Sequence, residues 1–310
     1  MKLEGIYAPV PTPFKPDGSE EIFIDAFRDN LKKWAGTSLA GVVICGSNGE
    51  LPFTSMDERA LLTKTAREIL GTSSTSRASE TSKKIVAGTY MNTTKDTILC
   101  CKNAADAGAD AALLLPPHYF KGQGMPAAIK FFEAVADKSP IPVILYNMPG
   151  NTGVNLDSET ILHLADHPNI IGVKDTSGDL GQMCYIASTS GKNFSAFSGS
   201  GNYLLPAMSV GASGGTLAVA NLYPESCQKL METFKNRRLD EALDLQRRVL
   251  TASDALTRKF GVPGLKLAMD RAGLYGGPCR APLQPLGEET KKKLFALLDE
   301  SNLDPFEKWR

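Results

Sequence analysis

Histidine is scarce in this chain, three in 310 residues, and His163 and His167, four apart, have no Glu or third His at a known ligand spacing. No metal site is expected from that pattern. The six cysteines (Cys45, Cys100, Cys101, Cys184, Cys227, Cys279) form no C-x-x-C pair. Buried free thiols in a reducing compartment are expected, rather than a disulfide framework or a zinc site. Neither sign of charge is in excess, with 34 Lys+Arg against 34 Asp+Glu, and there is no basic block. Nothing therefore points to nucleic acid or an anionic membrane. Long apolar runs are missing too, since Ala111 to Leu115 falls far short of a bilayer span. The N-terminus shows no signal h-region and no Arg/Ser-rich transit pattern. A cytoplasmic protein is expected, or a mitochondrial one if a transit segment has been removed.

What the chain does have is alternation. With 42% hydrophobic and 22% charged residues it has ordinary globular composition and enough length for a large core. Strands are predicted over Ile6–Pro13, Gly41–Gly46, Ile85–Tyr90, Ala109–Pro117, Pro142–Pro149, Ile170–Asp175, Phe194–Gly199 and Gly215–Asn221. Each is followed by a helical segment, the second opened by a capping box of Ser55 and Glu58. Strands alternating with helices imply parallel pairing through right-handed crossovers. Eight such pairs predict an α/β fold, the (β/α)8 TIM barrel, over residues 1–236. An open doubly wound sheet is the competitor, but the first strand–helix turn carries no G-x-G-x-x-G. Residues 237–310 read as a C-terminal helical region packed on the barrel, with helices over Leu239–Lys259, Pro263–Ala272 and Glu288–Leu298. The Ser/Thr-rich stretch Thr72–Ser82 precedes strand three, on the N-terminal face, and is expected to take no part in catalysis.

Barrel chemistry gathers at the opposite face, where residues just past each strand converge. Strand six, Ile170–Asp175, ends on Lys174. An ammonium at the mouth of an apolar strand is partly desolvated, which penalises its charged form, and a neutral lysine amine is a nucleophile towards carbonyls. The plainer reading is a lysine paired with Asp175. Strand two delivers Gly46-Ser47-Asn48-Gly49-Glu50, a loop suited to a small carboxylate or oxyanion, though ordinary turns look similar. Strand four delivers His118 and Tyr119, and strand five Tyr146 and Asn151. Strand seven delivers Ser198-Gly199-Ser200-Gly201, and strand eight Thr216 and Asn221. His118 reads most simply as a surface or interface residue. With no basic residue from Ser198 to Pro206, the strand-seven glycines fit a tight turn or contacts to substrate hydroxyls better than a phosphate site.

These motifs together resemble the pyruvate-dependent class I aldolase family that includes dihydrodipicolinate synthase and N-acetylneuraminate lyase, over nearly the whole chain. Gly46–Glu50 is similar to the family's pyruvate-carboxylate loop, Tyr146-Asn147-Met148-Pro149 to its tyrosine motif, and Val173-Lys174-Asp175 to its Schiff-base motif. The resemblance implies that Lys174 forms an imine and Tyr146 shuttles protons. It further implies that Ser47 is a relay hydroxyl that also holds the carboxylate, and that Tyr119 reaches across a subunit interface. Gly46, Asn48, Asn151, Ser198, Thr216 and Asn221 are then the expected substrate-binding residues. A 2-keto acid is the expected small-molecule partner, the protein a dimer or tetramer, and no cofactor is implied.

Within the family, Asn151-Thr152-Gly153 and the run Tyr275–Leu283 are most like 4-hydroxy-2-oxoglutarate aldolases. Dihydrodipicolinate synthases carry an arginine where this chain has Asn151, and a neutral amide cannot replace a bidentate guanidinium. The expected activity is a lyase cleaving a 4-hydroxy-2-keto acid to pyruvate and an aldehyde. A 3-deoxy-2-keto sugar-acid aldolase and a dihydrodipicolinate synthase are the alternatives, and a pyruvate-binding sensor is the reading outside enzymes.

Overall fold

The computed structural model describes residues 3–71 and 83–306, so the Thr72–Ser82 stretch lies outside the described residues. Short, almost wholly buried strands come first: β1 (Gly5–Pro9), β2 (Gly41–Ile44), β3 (Lys84–Gly88, with Lys84 half-buried) and β4 (Ala111–Leu114). The second half adds β5 (Val143–Asn147), β6 (Ile170–Asp175), β7 (Ser195–Ser198) and β8 (Gly214–Thr216). All neighbours pair in parallel, and β8 closes on β1 with Gly5 opposite Gly214. Strands covered on both faces carry near-continuous apolar runs, as in Gly-Val-Val-Ile of β2, because helices on the outside and side chains on the inside both exclude water.

The helices are α1 (Ile24–Ala35), α2 (Met56–Leu70), α3 (Thr94–Asp106), α4 (Gly124–Ala136), the single turn α5 (Pro149–Thr152), α6 (Ser158–Ala165), α7 (Leu180–Thr189), α8 (Leu204–Ser209) and α9 (Pro224–Lys235). The longer ones turn an apolar stripe to the sheet. In α1 it is Ala26, Phe27, Leu31 and Trp34, at the spacing that recurs on one helical face. The capping box of α2 is present, Ser55 accepting from Glu58 N and Glu58 accepting from Ser55 N. Beyond α9 come α10 (Leu239–Asp254), α11 (Gly261–Arg271) and α12 (Glu288–Glu300). Among the described residues no helix is long and apolar enough to cross a membrane.

The differences from the sequence reading fall at strand ends and in one long C-terminal helix. The first predicted strand overran, because Pro9, Pro11 and Pro13 have no N–H to give a ladder. The eighth was predicted to run to Asn221, but the ladder stops at Thr216 and Ala218–Asn221 is a 3-10 turn. That turn is fixed by the Asn221 amide, which donates to Pro9 O and Ala218 O, both at 3.0 Å. The predicted helix Leu239–Lys259 also breaks. From Ala255 to Lys259 it widens into one π-helical turn before α11 begins.

Candidate active site

Register on β5, β6 and β7 decides what faces the mouth. Tyr146 lies beside Lys174, and Lys174 beside Phe197. Because side chains alternate along a strand, Lys174 and Asp175 point to opposite faces. The Asp175 carboxylate is spent on the far side, accepting from Ser177 N at 2.6 Å and Gln182 Nε2 at 2.8 Å. The plain pairing of Lys174 with Asp175 therefore does not occur, and among the described residues no carboxylate lies within ion-pair distance of Lys174. Its Nζ sits 4.0 Å from the centroid of the Tyr146 ring, an arrangement that offers a cation the negative face of the aromatic quadrupole.

Tyr146 is 3% exposed, and its hydroxyl lies 3.2 Å from Ser47 Oγ. Ser47 is held by its loop. Glu50 N donates to Ser47 O, Leu51 N donates to Gly46 O, and Thr12 Oγ1 donates to Gly49 O at 2.7 Å. A Cβ at Gly49 would come 2.9 Å from the Cys45 backbone, so only glycine lets the loop turn this tightly.

Lys174, Tyr146, Ser47, Asn48, Asn151 and Thr216 all line one cavity of about 550 Å³. A second cavity of about 450 Å³ meets it at Ser47, Met148, Asn151 and Val262, and His118 lines that one. Other expected residues lie elsewhere. Gly46 forms the turn rather than the wall. Ser198 is fully buried and donates to Ser200 O at 2.8 Å. Asn221, also fully buried, donates its side-chain N–H groups to backbone carbonyls and accepts the Trp34 indole N–H on its main-chain carbonyl. Tyr119 is 83% exposed, packed edge-on to Phe120, and is absent from both cavities. The paired histidines face different carboxylates, His163 towards Glu133 of α4 and His167 towards Asp137 just past its end.

Residues 2–301 match the Dihydrodipicolinate synthetase family. The chain belongs to that family. It is 36% identical, over 93% of its length and 91% of the relative's, to a protein of Emericella nidulans named probable 4-hydroxy-2-oxoglutarate aldolase, mitochondrial. It is 37% identical to the L-threo-3-deoxy-hexylosonate aldolase of Hypocrea jecorina, over 91% of this chain and 90% of that one. Its fold superposes on a dihydrodipicolinate synthase of Bacillus anthracis with a TM-score of 0.89 at 27% identity, covering 96% and 99% of the two chains. Like the named members of the family, the protein is an enzyme, a lyase of the aldolase type.

Several wall residues of this barrel were not legible from strand ends. Tyr203 lines the cavity and donates to Asp175 O at 3.4 Å; burial, with the negative Asp175 beside it, holds its phenol well above the ordinary tyrosine range. The π turn and the start of α11 supply Leu256, Thr257, Arg258, Gly261 and Val262. No strand-end pattern could point to them, because they come from outside the barrel repeat.

The same C-terminal region grips the loop of Ser47 from behind. Lys266, on α11, makes a 2.5 Å ion pair with Glu50, both side chains essentially without solvent. The ammonium also donates to Pro278 O at 2.7 Å and lies over the Phe14 ring, while Glu50 accepts from Arg280 N at 2.9 Å. Burial pulls Lys266 below the ordinary lysine range, with Glu50 pulling the other way. Glu50 is itself left-handed, with φ of 58°, a conformation that costs a non-glycine residue about 1–2 kcal/mol. Replacing Lys266 by Met strands the Glu50 charge in the interior, so urea unfolding should show a loss of about 3–5 kcal/mol. Lys266→Met combined with Glu50→Gln should recover much of that loss. A single variant as stable as the unaltered protein would refute the clasp.

Proposed function

We propose that the protein is a Schiff-base aldolase that cleaves a 4-hydroxy-2-keto acid to pyruvate and an aldehyde, in the manner of 4-hydroxy-2-oxoglutarate aldolases. One observation carries the reading: a buried lysine without a carboxylate partner lies against a tyrosine whose hydroxyl meets a serine of the anion-type loop. The neutral Lys174 amine adds to C2, and water leaves to give the imine. The substrate carboxylate is held at the Ser47–Asn48 turn. Tyr146, as phenolate, takes the C4 hydroxyl proton; the C3–C4 bond then breaks, and its electrons flow into the protonated imine. The aldehyde departs, the enamine is protonated at C3, and hydrolysis frees pyruvate and Lys174. The protonated imine is itself the electron sink, so the chemistry needs neither metal nor cofactor.

The hydroxyl and amide groups of Thr176, Ser177, Ser200, Asn202 and Thr257 along the cavity wall favour a second reading, a 3-deoxy-2-keto sugar acid with a hydroxylated tail. The name of the Hypocrea relative agrees with it. Synthase activity is disfavoured because the cavity presents the neutral Asn151 where the resemblance puts an arginine. Tyr119, exposed and outside the cavity of its own lysine, fits the role of completing the relay of an adjacent subunit in a dimer or tetramer. The cytoplasm suits the reading, and so does the mitochondrion named for the Emericella relative.

Borohydride added with pyruvate should fix a stable adduct on Lys174 and inactivate the enzyme; peptide mass analysis placing the adduct on another lysine would sink the covalent mechanism. Tyr146→Phe should still form the trapped imine but turn over about 10²–10⁴-fold more slowly, as a coupled pyruvate-release assay would read. Turnover equal to the unaltered enzyme would require another base. Inactive Tyr119→Phe and Lys174→Ala subunits, once exchanged, should regain part of the activity, since some mixed dimers then hold one intact site. No recovery after verified exchange would remove Tyr119 from the neighbour's site.

A further inference from the structure

The two candidate substrate classes differ at the end remote from Lys174, where one carries a carboxylate and the other hydroxyls. A carboxylate taken out of water needs a cation. Among the described residues lining the Lys174 cavity, the cationic side chains are Lys174 and Arg258. Lys174 is consumed by the imine, and Asn151 is neutral. Arg258 stands on the π turn between α10 and α11, and such turns are found frequently at functional sites.

Its guanidinium is 79% exposed, and the contact it makes is long, 3.6 Å to Asp254 Oδ1. An exposed pair of that kind is worth about 0–1 kcal/mol. Asp254 does not depend on it, because Lys259 stands 3.4 Å from its Oδ2 and Asn202 Nδ2 donates to its Oδ1 at 3.2 Å. Arg258 can therefore turn into the cavity without leaving a stranded carboxylate. Thr257, next to it, is fixed by donation to Ser253 O at 2.6 Å, so the wall stays put while the long side chain moves.

Resting on the aldolase reading above, we propose that Arg258 is the specificity-determining residue that takes the distal carboxylate of a 4-hydroxy-2-oxo dicarboxylate. The substrate is then clamped at both ends, one carboxylate on the Ser47–Asn48 turn and the other on Arg258, with the C3–C4 bond between them.

The test uses two keto acids that form the imine and cannot be cleaved: pyruvate, with no distal group, and 2-oxoglutarate, with a distal carboxylate. Borohydride trapping on Lys174 is titrated with each, in the unaltered enzyme, Arg258→Gln and Arg258→Lys. Arg258→Gln should raise the ratio of half-saturating 2-oxoglutarate to half-saturating pyruvate about 10–100-fold, the range for a lost charge-assisted contact. Arg258→Lys should recover part of it, since the charge remains and the bidentate fork does not. A ratio that does not move, with pyruvate still trapped, overturns the assignment of Arg258 alone. So does an equal rise for both acids, which would mean only that the wall had loosened. Failure of the unaltered enzyme to trap pyruvate overturns the aldolase reading and this inference with it.

Discussion

The ion pair between Glu50 and Lys266 is the contact on which the site depends. It joins two parts of the chain more than two hundred residues apart, the loop after β2 and the helix α11. Neither partner could be buried alone, since an unpaired interior charge is far costlier than a paired one. Each therefore fixes the other, and Pro278 O and Arg280 N take up remaining hydrogen-bonding capacity. A further layer repeats the motif nearer solvent, where Arg280 binds Glu58 at 2.7 and 3.0 Å and lies over Phe14. Ser47, three residues before Glu50, is thus placed by groups from the far end of the sequence. The C-terminal helices are part of the wall of the Lys174 cavity as much as a cover for the barrel.

A second constraint is the register of β5 against β6. With Tyr146 opposite Lys174, the alternation of side chains sends Asn147 and Asp175 together to the outer face. There Asn147 donates to Asn155 Oδ1 at 2.8 Å and accepts from Leu156 N at 2.9 Å. These buried polar groups satisfy one another, which leaves the inner face to the lysine and the phenol without a competing carboxylate. A slip of one residue would exchange the two sets. Separation of Lys174 from the Asp175 carboxylate is therefore a property of strand geometry.

Legibility varied from place to place for physical reasons. The span of β6 was read residue for residue, because Ile170–Asp175 is a fully covered strand bounded by turn formers. The capping box at Ser55 was equally plain, since it is a local exchange of two hydrogen bonds. Strand ends were less plain. The end of β8 is set by the Asn221 amide reaching Pro9, a contact with no local signature. Ser198 and Asn221 follow strands as substrate ligands would, yet the Ser198 hydroxyl and the Asn221 side-chain N–H groups go to nearby backbone, and neither residue lines the cavity. Arg258 and Val262 entered the wall unannounced, because the π turn and the helix that carry them are no part of the strand–helix repeat.

The sequence by itself determined the eightfold alternation, the closed parallel barrel it implies, and the cluster of Ser47, Tyr146 and Lys174 at one end. Those follow from periodicity and from the rule that a parallel barrel gathers the carboxyl ends of its strands at one mouth. Tertiary structure alone decided which polar residues at those ends face the cavity and which brace the backbone, and that Lys174 stands clear of Asp175. It also decided that a π turn and a buried lysine from beyond the barrel complete the site. Each of these depends on contacts between residues remote in the chain, whose pairing is set by how the elements pack.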